Sequence, residues 1–264
     1  MAAERLIINP AKEILKSGGP LFGFNVFESL RPSIAKIVAR AGYNMLLVEN
    51  EHVVHNEETM TNFLVIARDN GLSPAVTALV PDRPFVSRML DAGALGICLS
   101  HSDRPEQIEE LAKWMKYAPD GERGLALGAN SGYRGDDIPR YCREANGATM
   151  LIVKIESWEG IQNAEGILSH EAVDALVFGP GDLAATMGYH GQWEHPEVIK
   201  AMQGVIAIAR AKGIASEPAV YPKTRDEYER QRQEGLQLFG RFRASEYDLI
   251  RQGATADIAM YLEK

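Results

Sequence analysis

The sequence predicts an α/β fold, and within that class a (β/α)8 TIM barrel, from the way apolar segments repeat along its 264 residues. Short apolar runs typical of buried strands alternate with amphipathic runs typical of helices. Eight or nine such units in roughly 250 residues match a TIM barrel. An open doubly wound sheet, the alternative, usually needs fewer strands and often a glycine-rich phosphate loop, and neither GxGxxG nor GxxxxGKS/T occurs.

The individual elements follow from the same pattern. Nine segments are predicted as strands: 21–25, 45–49, 74–79, 95–99, 124–128, 150–155, 174–178, 214–218 and 236–239. The clearest helices between them are predicted over 33–41, 58–70, 104–117 and 196–212. Glycine follows several helical segments directly, which is typical of helix C-caps. These glycines are Gly42, Gly71, Gly93 and Gly213.

Composition favours one domain over residues 1–264. A hydrophobic content of 45% is enough for one large core, and no linker or low-complexity segment divides the chain. The longest apolar runs are too short to span a membrane, and the N-terminus lacks the apolar stretch of a secretory signal. The two cysteines, Cys98 and Cys142, have no metal or redox spacing. A cytoplasmic protein is therefore expected.

The net charge limits the possible partners. A formal charge of −8 and a pI near 5.4 argue against binding to nucleic acids or to anionic membranes. A small anionic substrate is still compatible with this charge, because a local cluster of cations can outweigh the net charge.

Two carboxylates occur where the chain is expected to leave a strand. The apolar segment 151–153 leads to Glu156, and the segment 175–178 leads to Asp182. In a parallel barrel these exits meet at one mouth, where two oxygen ligands suit a divalent cation such as Mg²⁺ or Mn²⁺. The alternative is that both residues only cap the helices that follow them.

A third exit, 46–52, is rich in ionisable groups and ends in His52. A histidine near a metal can act as a general base, since its pKa is ordinarily near 6.5. A histidine in an exposed polar loop is the alternative, and His55, three residues further on, could be the relevant imidazole instead. His101 follows another strand exit.

The most distinctive stretch of the chain runs from Val153 to Tyr189. Its motifs, together with an earlier one, are Glu51-His52, Glu156-Ser157, Gly179-Pro180-Gly181-Asp182-Leu183 and Met187-Gly188-Tyr189. With these motifs the chain resembles, over roughly residues 20–250, the metal-dependent class II pyruvate aldolases of the HpcH/HpaI type. Those enzymes cleave 4-hydroxy-2-oxo acids and have a barrel of the phosphoenolpyruvate/pyruvate type.

The resemblance implies a role for several residues. Glu156 and Asp182 would bind the metal, which could be Mg²⁺, Mn²⁺ or Co²⁺. His52 would be the base, with Asp91 as its orienting partner, and Glu49 would occupy another acidic position. The Gly181 amide would lie against the substrate carboxylate in the turn that Pro180 begins, where a helix N-terminus favours an anion. The metal would stabilise the enolate formed when the carbon–carbon bond breaks.

The resemblance also implies a homo-oligomer, a hexamer or trimer of dimers. In the family the last helix is often exchanged between subunits. Here that helix is expected over about 244–262, and its apolar stripe would serve either exchange or packing on its own barrel.

Two departures from the family put the substrate in question. Thr77 stands where the family has an arginine that pairs with pyruvate, and threonine supplies neither a charge nor a bidentate fork. Lys154 stands where glutamine is usual, on the same strand face as Glu156. Arg123, in an Arg-Gly loop that the family sometimes donates to a neighbouring subunit, is the best replacement for the missing arginine.

The role of Lys154 is open at this point. It could hold an oxyanion in place of the missing arginine, displace the metal by pairing with Glu156 and Asp182, form a Schiff base, or extend out of the mouth. The expected function is a metal-dependent carbon–carbon lyase or aldolase with an altered hydroxy-oxo acid substrate. The alternatives are another enolate reaction, such as decarboxylation or condensation, and a ligand-binding protein without lyase activity.

Overall fold

The computed structural model describes residues 5–259 and 261–262. Its eight strands are β1 (Leu21–Val26), β2 (Met45–Val48), β3 (Ser73–Ala78), β4 (Gly96–Leu99), β5 (Met150–Ile155), β6 (Val173–Phe178), β7 (Ala215–Ser216) and β8 (Leu238–Arg241). Its helices are α1 (Pro10–Lys16), α2 (Pro32–Arg40), α3 (Glu57–Asp69), α4 (Arg83–Asp91), α5 (Pro105–Met115), α6 (Ile138–Ala148), α7 (Trp158–Gln162), α8 (Ala164–Ile167), α9 (Pro180–Thr186), α10 (Pro196–Ala211), α11 (Arg225–Gln233) and α12 (Glu246–Ala259).

The strands form a nearly closed parallel barrel. Their order is β7-β6-β5-β4-β3-β2-β1-β8, and each neighbouring pair in that order is parallel. Between the two ends of the sheet, the amide of Gln237 donates to the carbonyl of Ser216 at 3.3 Å. The predicted TIM barrel is confirmed.

The core has two layers that follow the alternation of side chains along each strand. Inward-facing residues, among them Leu47, Ala75, Cys98 and Ile152, fill the barrel interior. The outward-facing residues of the same strands pack against the helices in a larger apolar cluster. This alternation decides which side chains at the strand ends reach the mouth.

Local capping signals set the helix boundaries. Asn56 accepts hydrogen bonds from the amides of Glu58 and Thr59, and Ser157 accepts one from Gly160. The glycines predicted as C-caps, Gly42, Gly71, Gly93 and Gly213, all have positive φ, between 72° and 112°. These predictions are confirmed.

One predicted strand, 124–128, is wrong. The segment is an irregular loop between α5 and α6, and its Leu125 is 54% exposed. Gly124 and Gly128 interrupt its short apolar pattern. In addition, β4 and β5 pair directly with each other, so the sheet has no position for another strand between them.

Helix α12 makes few contacts with the rest of its own chain. Glu246, at its start, is buried and accepts hydrogen bonds from the amides of Phe27, Glu28 and Ser29. Beyond Glu246, no described residue of α12 is buried. The helix is therefore anchored at one end and exposed along its length.

Candidate active site

A cavity of about 570 Å³ occupies the mouth of the barrel, at the carboxyl ends of the strands. This is the face on which TIM-barrel enzymes place their active sites. Several predicted site residues line it: His52, Lys154, Glu156, Pro180, Gly181 and Asp182. The structure therefore brings together residues that are as far as 130 positions apart in the sequence.

Glu156 is the most deeply buried acid of the cavity, with no exposed surface. Its Oε1 accepts a hydrogen bond from the amide of His101 at 2.8 Å. Its Oε2 lies 2.8 Å from Nζ of Lys154, a charge-assisted contact between an ammonium and a carboxylate. Burial raises the pKa of Glu156, and the charge of Lys154 opposes that rise.

Gly179 leaves the space that Glu156 occupies. A Cβ at position 179 would lie 2.1 Å from Oε2 of Glu156 and 2.6 Å from its Cβ. The φ of Gly179 is −105°, so the backbone itself does not require glycine. Glycine is required at this exit because β6 passes so close to the Glu156 side chain.

Lys154 lies between two carboxylates. Its Nζ is 2.8 Å from Oε2 of Glu156 and donates to Oε2 of Glu51 at 3.4 Å. Burial lowers the pKa of this ammonium, but the neighbouring carboxylates outweigh burial and leave the pKa raised. A Schiff-base role requires the neutral amine, and these surroundings favour the charged form. The second partner of Lys154 is Glu51, where the displacement hypothesis expected Asp182.

Glu51 takes a central place that the sequence did not assign to it. Its carboxylate accepts a hydrogen bond from the Ser100 hydroxyl at 2.6 Å and lies 3.7 Å from Nε2 of His101. Burial acts to raise its pKa, but Ser100 and Lys154 outweigh burial and leave the pKa lowered. Ligand atoms of Glu51, His101 and Glu156 all lie within 4.8 Å of one another, a spacing that could hold a metal ion.

His52 and Glu49 have different environments. The His52 side chain is 60% exposed, lines the cavity, and places Nε2 4.0 Å from Oε2 of Glu51. Glu49 is buried, and its Oε1 accepts from the amides of Glu51 at 2.6 Å and His52 at 3.3 Å. Glu49 thus fixes the backbone turn that presents His52, while His55 bonds to the Glu49 carbonyl.

Pro180, Gly181 and Asp182 form the first turn of α9. Pro180 is the first residue of this helix, a position where its fixed φ is favourable and its missing amide hydrogen is not needed. Gly181 and Asp182 are exposed toward the cavity. Asp182 is therefore available to a ligand in the same cavity as Glu156, although the helix start also favours its charge.

Four predicted site residues do not line this cavity: the buried Glu49, and Thr77, Asp91 and Arg123. Thr77 is fully buried inside the barrel, and its hydroxyl oxygen has no hydrogen-bond partner among the described residues. Arg123 donates to Oδ1 of Asp91 at 2.7 Å and lies over the ring of Tyr117. Asn130 also donates to this Asp91 oxygen. Because α4 runs back from the mouth and Asp91 is its last residue, the Arg123–Asp91 pair lies toward the other end of the barrel.

Several known proteins are similar to this chain in sequence. The family description HpcH/HpaI aldolase/citrate lyase matches residues 26–239. The hydroxypyruvate/pyruvate aldolase of Delftia acidovorans is 33% identical over 211 residues, covering 80% of this chain and 78% of the relative. The 2-keto-3-deoxy-L-rhamnonate aldolase of Escherichia coli K12 is 30% identical, covering 80% and 79%.

The chain belongs to the HpcH/HpaI aldolase/citrate lyase family.

The crystal structure of an HpcH/HpaI aldolase from Desulfitobacterium hafniense superimposes with a TM-score of 0.88 at 25% identity, covering 96% of both chains. Membership of the HpcH/HpaI family confirms the expected class of enzyme, a carbon–carbon lyase of the aldolase type. Among the described residues, no helix is long and apolar enough to cross a membrane.

One group of cavity residues in this HpcH/HpaI chain was missed by the sequence reasoning. Glu217 follows β7 and Arg243 follows β8, and both lie at the mouth with Tyr221. Glu217 carries the same signal as Glu156, an acid at the end of an apolar segment, but it was included in the predicted strand 214–218. Arg243 lies beyond the predicted strand 236–239, because β8 continues to Arg241.

Proposed function

We propose that the chain is a metal-dependent aldolase that cleaves or forms a carbon–carbon bond in a small hydroxy-oxo acid. The observation that carries the proposal is Glu156, a fully buried carboxylate that lines an open cavity together with the exposed carboxylate of Asp182. The names of the relatives, hydroxypyruvate/pyruvate aldolase and 2-keto-3-deoxy-L-rhamnonate aldolase, support a substrate of this class.

Glu156 and Asp182 would hold the divalent cation, Mg²⁺, Mn²⁺ or Co²⁺. The residues fit such an ion because Glu156 is a buried carboxylate that lines the cavity and Asp182 opens into the same cavity. Glu51 and His101 offer further ligand atoms close to Glu156. When bound, the cation would stabilise the negative charge that develops as the carbon–carbon bond breaks.

The other residues would position the substrate and move its proton. His52, exposed in the cavity, would take the proton of the 4-hydroxyl group, and Glu49 would hold the turn that presents it. The amide of Gly181, behind Pro180 at the start of α9, would face the substrate carboxylate. His52 and Glu49 follow β2, whereas Pro180 and Gly181 follow β6, and His52 and Gly181 line the same cavity.

Lys154 would supply the positive charge that Thr77 lacks. It is the cation of the carboxylate cluster, and its surroundings keep it protonated. It would also oppose metal binding, since it shares Glu156 with the ion. This altered charge pattern is the reason to expect a substrate different from that of the pyruvate aldolases.

The assembly is proposed to be a homo-oligomer, either a hexamer or a trimer of dimers. Helix α12 is exposed along its length and carries apolar side chains, including Tyr247, Leu249, Ile250 and Ile258, that a second copy could cover. If α12 is exchanged between subunits, the single domain, residues 1–264, is complete only when the α12 of a neighbouring subunit packs against it. Light scattering after gel filtration measures the oligomeric state, and a monomer would exclude the proposed assembly.

The Arg123–Asp91 pair is proposed to act across such a subunit contact. Within one chain the pair does not line the cavity that contains His52. A role for Asp91 in orienting His52, or for Arg123 in binding substrate, therefore requires the neighbouring subunit. The free thiols Cys98 and Cys142 are compatible with the proposed cytoplasmic location.

Calorimetric titration of Mn²⁺ tests the metal site directly. We expect Glu156→Ala and Asp182→Ala each to abolish measurable binding, while His52→Ala retains it and loses turnover. Glu194→Ala is the matched control, because Glu194 is an exposed carboxylate that lines the same cavity. Full Mn²⁺ binding by both carboxylate variants would refute the assignment.

Deuterium exchange into the methyl group of pyruvate tests the chemistry. Exchange that requires Mg²⁺ or Mn²⁺ and stops with EDTA is expected if pyruvate is a donor. A protein that binds metal but exchanges no deuterium would direct the search to another donor or to another enolate reaction. Ligand-induced thermal stabilisation that needs no metal would favour a binding protein.

A further inference from the structure

Arg243 presents a fixed guanidinium group on the wall of the cavity formed by the ends of β7 and β8. Its Nε donates to Oε1 of Glu217 at 2.9 Å, its Nη1 to the carbonyl of Ala219 at 2.9 Å, and its Nη2 to the carbonyl of Pro218 at 2.6 Å. A guanidinium has five N–H groups, so two of them remain beyond these three bonds. The side chain is 14% exposed and lines the cavity.

Glu217 holds this guanidinium in place. It has no exposed surface, and it accepts hydrogen bonds from the amide of Phe178 at 2.6 Å and from the hydroxyl of Tyr221. The rings of Phe178 and Tyr221 lie 5.8 and 5.1 Å from the Arg243 guanidinium carbon. A cation held by a buried carboxylate and two rings loses little freedom when a ligand binds.

The two sides of the cavity differ in charge. Near β5 and β6 the carboxylates Glu51, Glu156 and Asp182 outnumber the single cation Lys154. That side attracts a cation, and the charge of Lys154 is already shared between two acids.

On the β7–β8 side of the cavity, positive side chains predominate instead. Arg243 and the exposed Lys223 line it. Glu217 pairs with Arg243, and Glu227, which does not line this cavity, accepts a hydrogen bond from the Lys223 amide at 2.7 Å. Glu194 also lines the cavity, but it is exposed on the segment before α10, where solvent screens its charge.

We propose that Arg243 determines specificity by binding a second anionic group of the substrate, a carboxylate at the end remote from the metal ligands. The inference rests on the proposed function, because the first carboxylate and the ketone of the substrate are taken to lie on the Glu156 and Asp182 side. Arg243 keeps two N–H groups beyond its three bonds within the chain, and a guanidinium N–H suits a carboxylate acceptor. The substrate class is then a 2-oxo acid whose tail is also acidic.

Matched ligands test this inference without turnover. With Mn²⁺ present, calorimetry compares 2-oxoglutarate and 2-oxoadipate, which carry a terminal carboxylate, with 2-oxohexanoate, which has a neutral tail. We expect at least one of the dicarboxylates to bind the wild-type protein 10- to 100-fold more tightly than 2-oxohexanoate, the range of a charge-assisted hydrogen bond.

Variants test whether the preference for dicarboxylates depends on Arg243. Arg243→Gln should remove most of it by weakening dicarboxylate binding, while 2-oxohexanoate binding changes less than threefold. Because that variant leaves Glu217 buried without its cation, the double variant Glu217→Gln/Arg243→Gln provides a neutral pair that should fold and show the same loss. Lys223→Gln is the control for general electrostatic attraction and should change the preference less than threefold.

The outcomes separate this inference from the proposed function. Equal binding of the acidic and neutral acids by the wild type, or a preference that survives in both Arg243 variants, overturns the inference alone. Loss of the preference in Lys223→Gln but not in the Arg243 variants also overturns it. If none of the three acids binds in the presence of Mn²⁺, the proposed function fails and this inference fails with it.

Discussion

The substitution Gly179→Ala tests the central feature of the site, the close approach of β6 to Glu156. An added Cβ would lie 2.1 Å from Oε2 of Glu156 and 2.6 Å from its Cβ, whereas real contacts of this kind essentially never fall below 3.0 Å. Rotation of the Glu156 side chain cannot relieve the contact with its own Cβ. The ends of β5 and β6 must therefore separate, and Oε2 must move by about 0.9 Å, the difference between 3.0 and 2.1 Å.

The cost of that movement can be estimated from the contacts it breaks. Glu156 would lose its bond from the His101 amide and its ion pair with Lys154, both at 2.8 Å. Two charge-assisted interactions are worth about 3–6 kcal/mol together. In a domain of this size, that corresponds to a decrease in melting temperature on the order of 10–20 °C.

Thermal unfolding and Mn²⁺ calorimetry measure the effect. We expect Gly179→Ala to lower the melting temperature by that amount and to weaken Mn²⁺ binding by at least about 10–100-fold, the range for a displaced ligand. Gly181→Ala is the matched control, because a Cβ there meets no atom within 4 Å. A Gly179→Ala protein that melts within about 2 °C of wild type and binds Mn²⁺ normally would refute the packing of Glu156 described above.

Two further predictions concern charges that the fold has placed. Lys154→Gln removes the cation that competes for Glu156, so Mn²⁺ should bind about tenfold more tightly, as measured by calorimetry; unchanged or weaker binding would contradict the competition. Glu246→Gln should lower stability by about 2–3 kcal/mol at pH 7, because the carboxylate accepts bonds from three backbone amides at 27–29. Burial acts to raise the pKa of Glu246, but these amides outweigh it and leave the pKa lowered, so the stabilisation is complete above the ordinary pKa near 4.5 and is lost as the pH falls through the folded value. Melting curves at pH 7 and pH 3 check the sign, and a difference between wild type and variant that persists unchanged at pH 3 would contradict it.

The strand exits show how far the sequence alone can lead. Glu156, Asp182 and His52 were found because each follows a segment whose apolar pattern identifies a strand, and all parallel strands of a barrel end at one mouth. The resemblance to the HpcH/HpaI family was visible in the same residues, and the family match confirms it. By contrast, the strand predicted over 124–128 was wrong, because an apolar run is a local property and a strand requires a free position in the sheet.

The partners of the charged residues were decided by the tertiary structure. The sequence places Lys154 on the same face as Glu156, but its contact with Glu51, on the exit of β2, depends on how the strands lie around the barrel. The pairing of Arg123 with Asp91 joins the loop after α5 to the last residue of α4, at the end of the barrel remote from the mouth, and no spacing in the sequence indicates it.

The same holds for Arg243 and Glu217, which belong to the two ends of the sheet. The sequence by itself determined the alternation of strands and helices, and hence the barrel and the carboxylates at its mouth, because that information lies in each segment's own pattern of apolar residues. Only the folded chain decided which cation meets which acid, because those contacts join residues from different strands and depend on barrel closure.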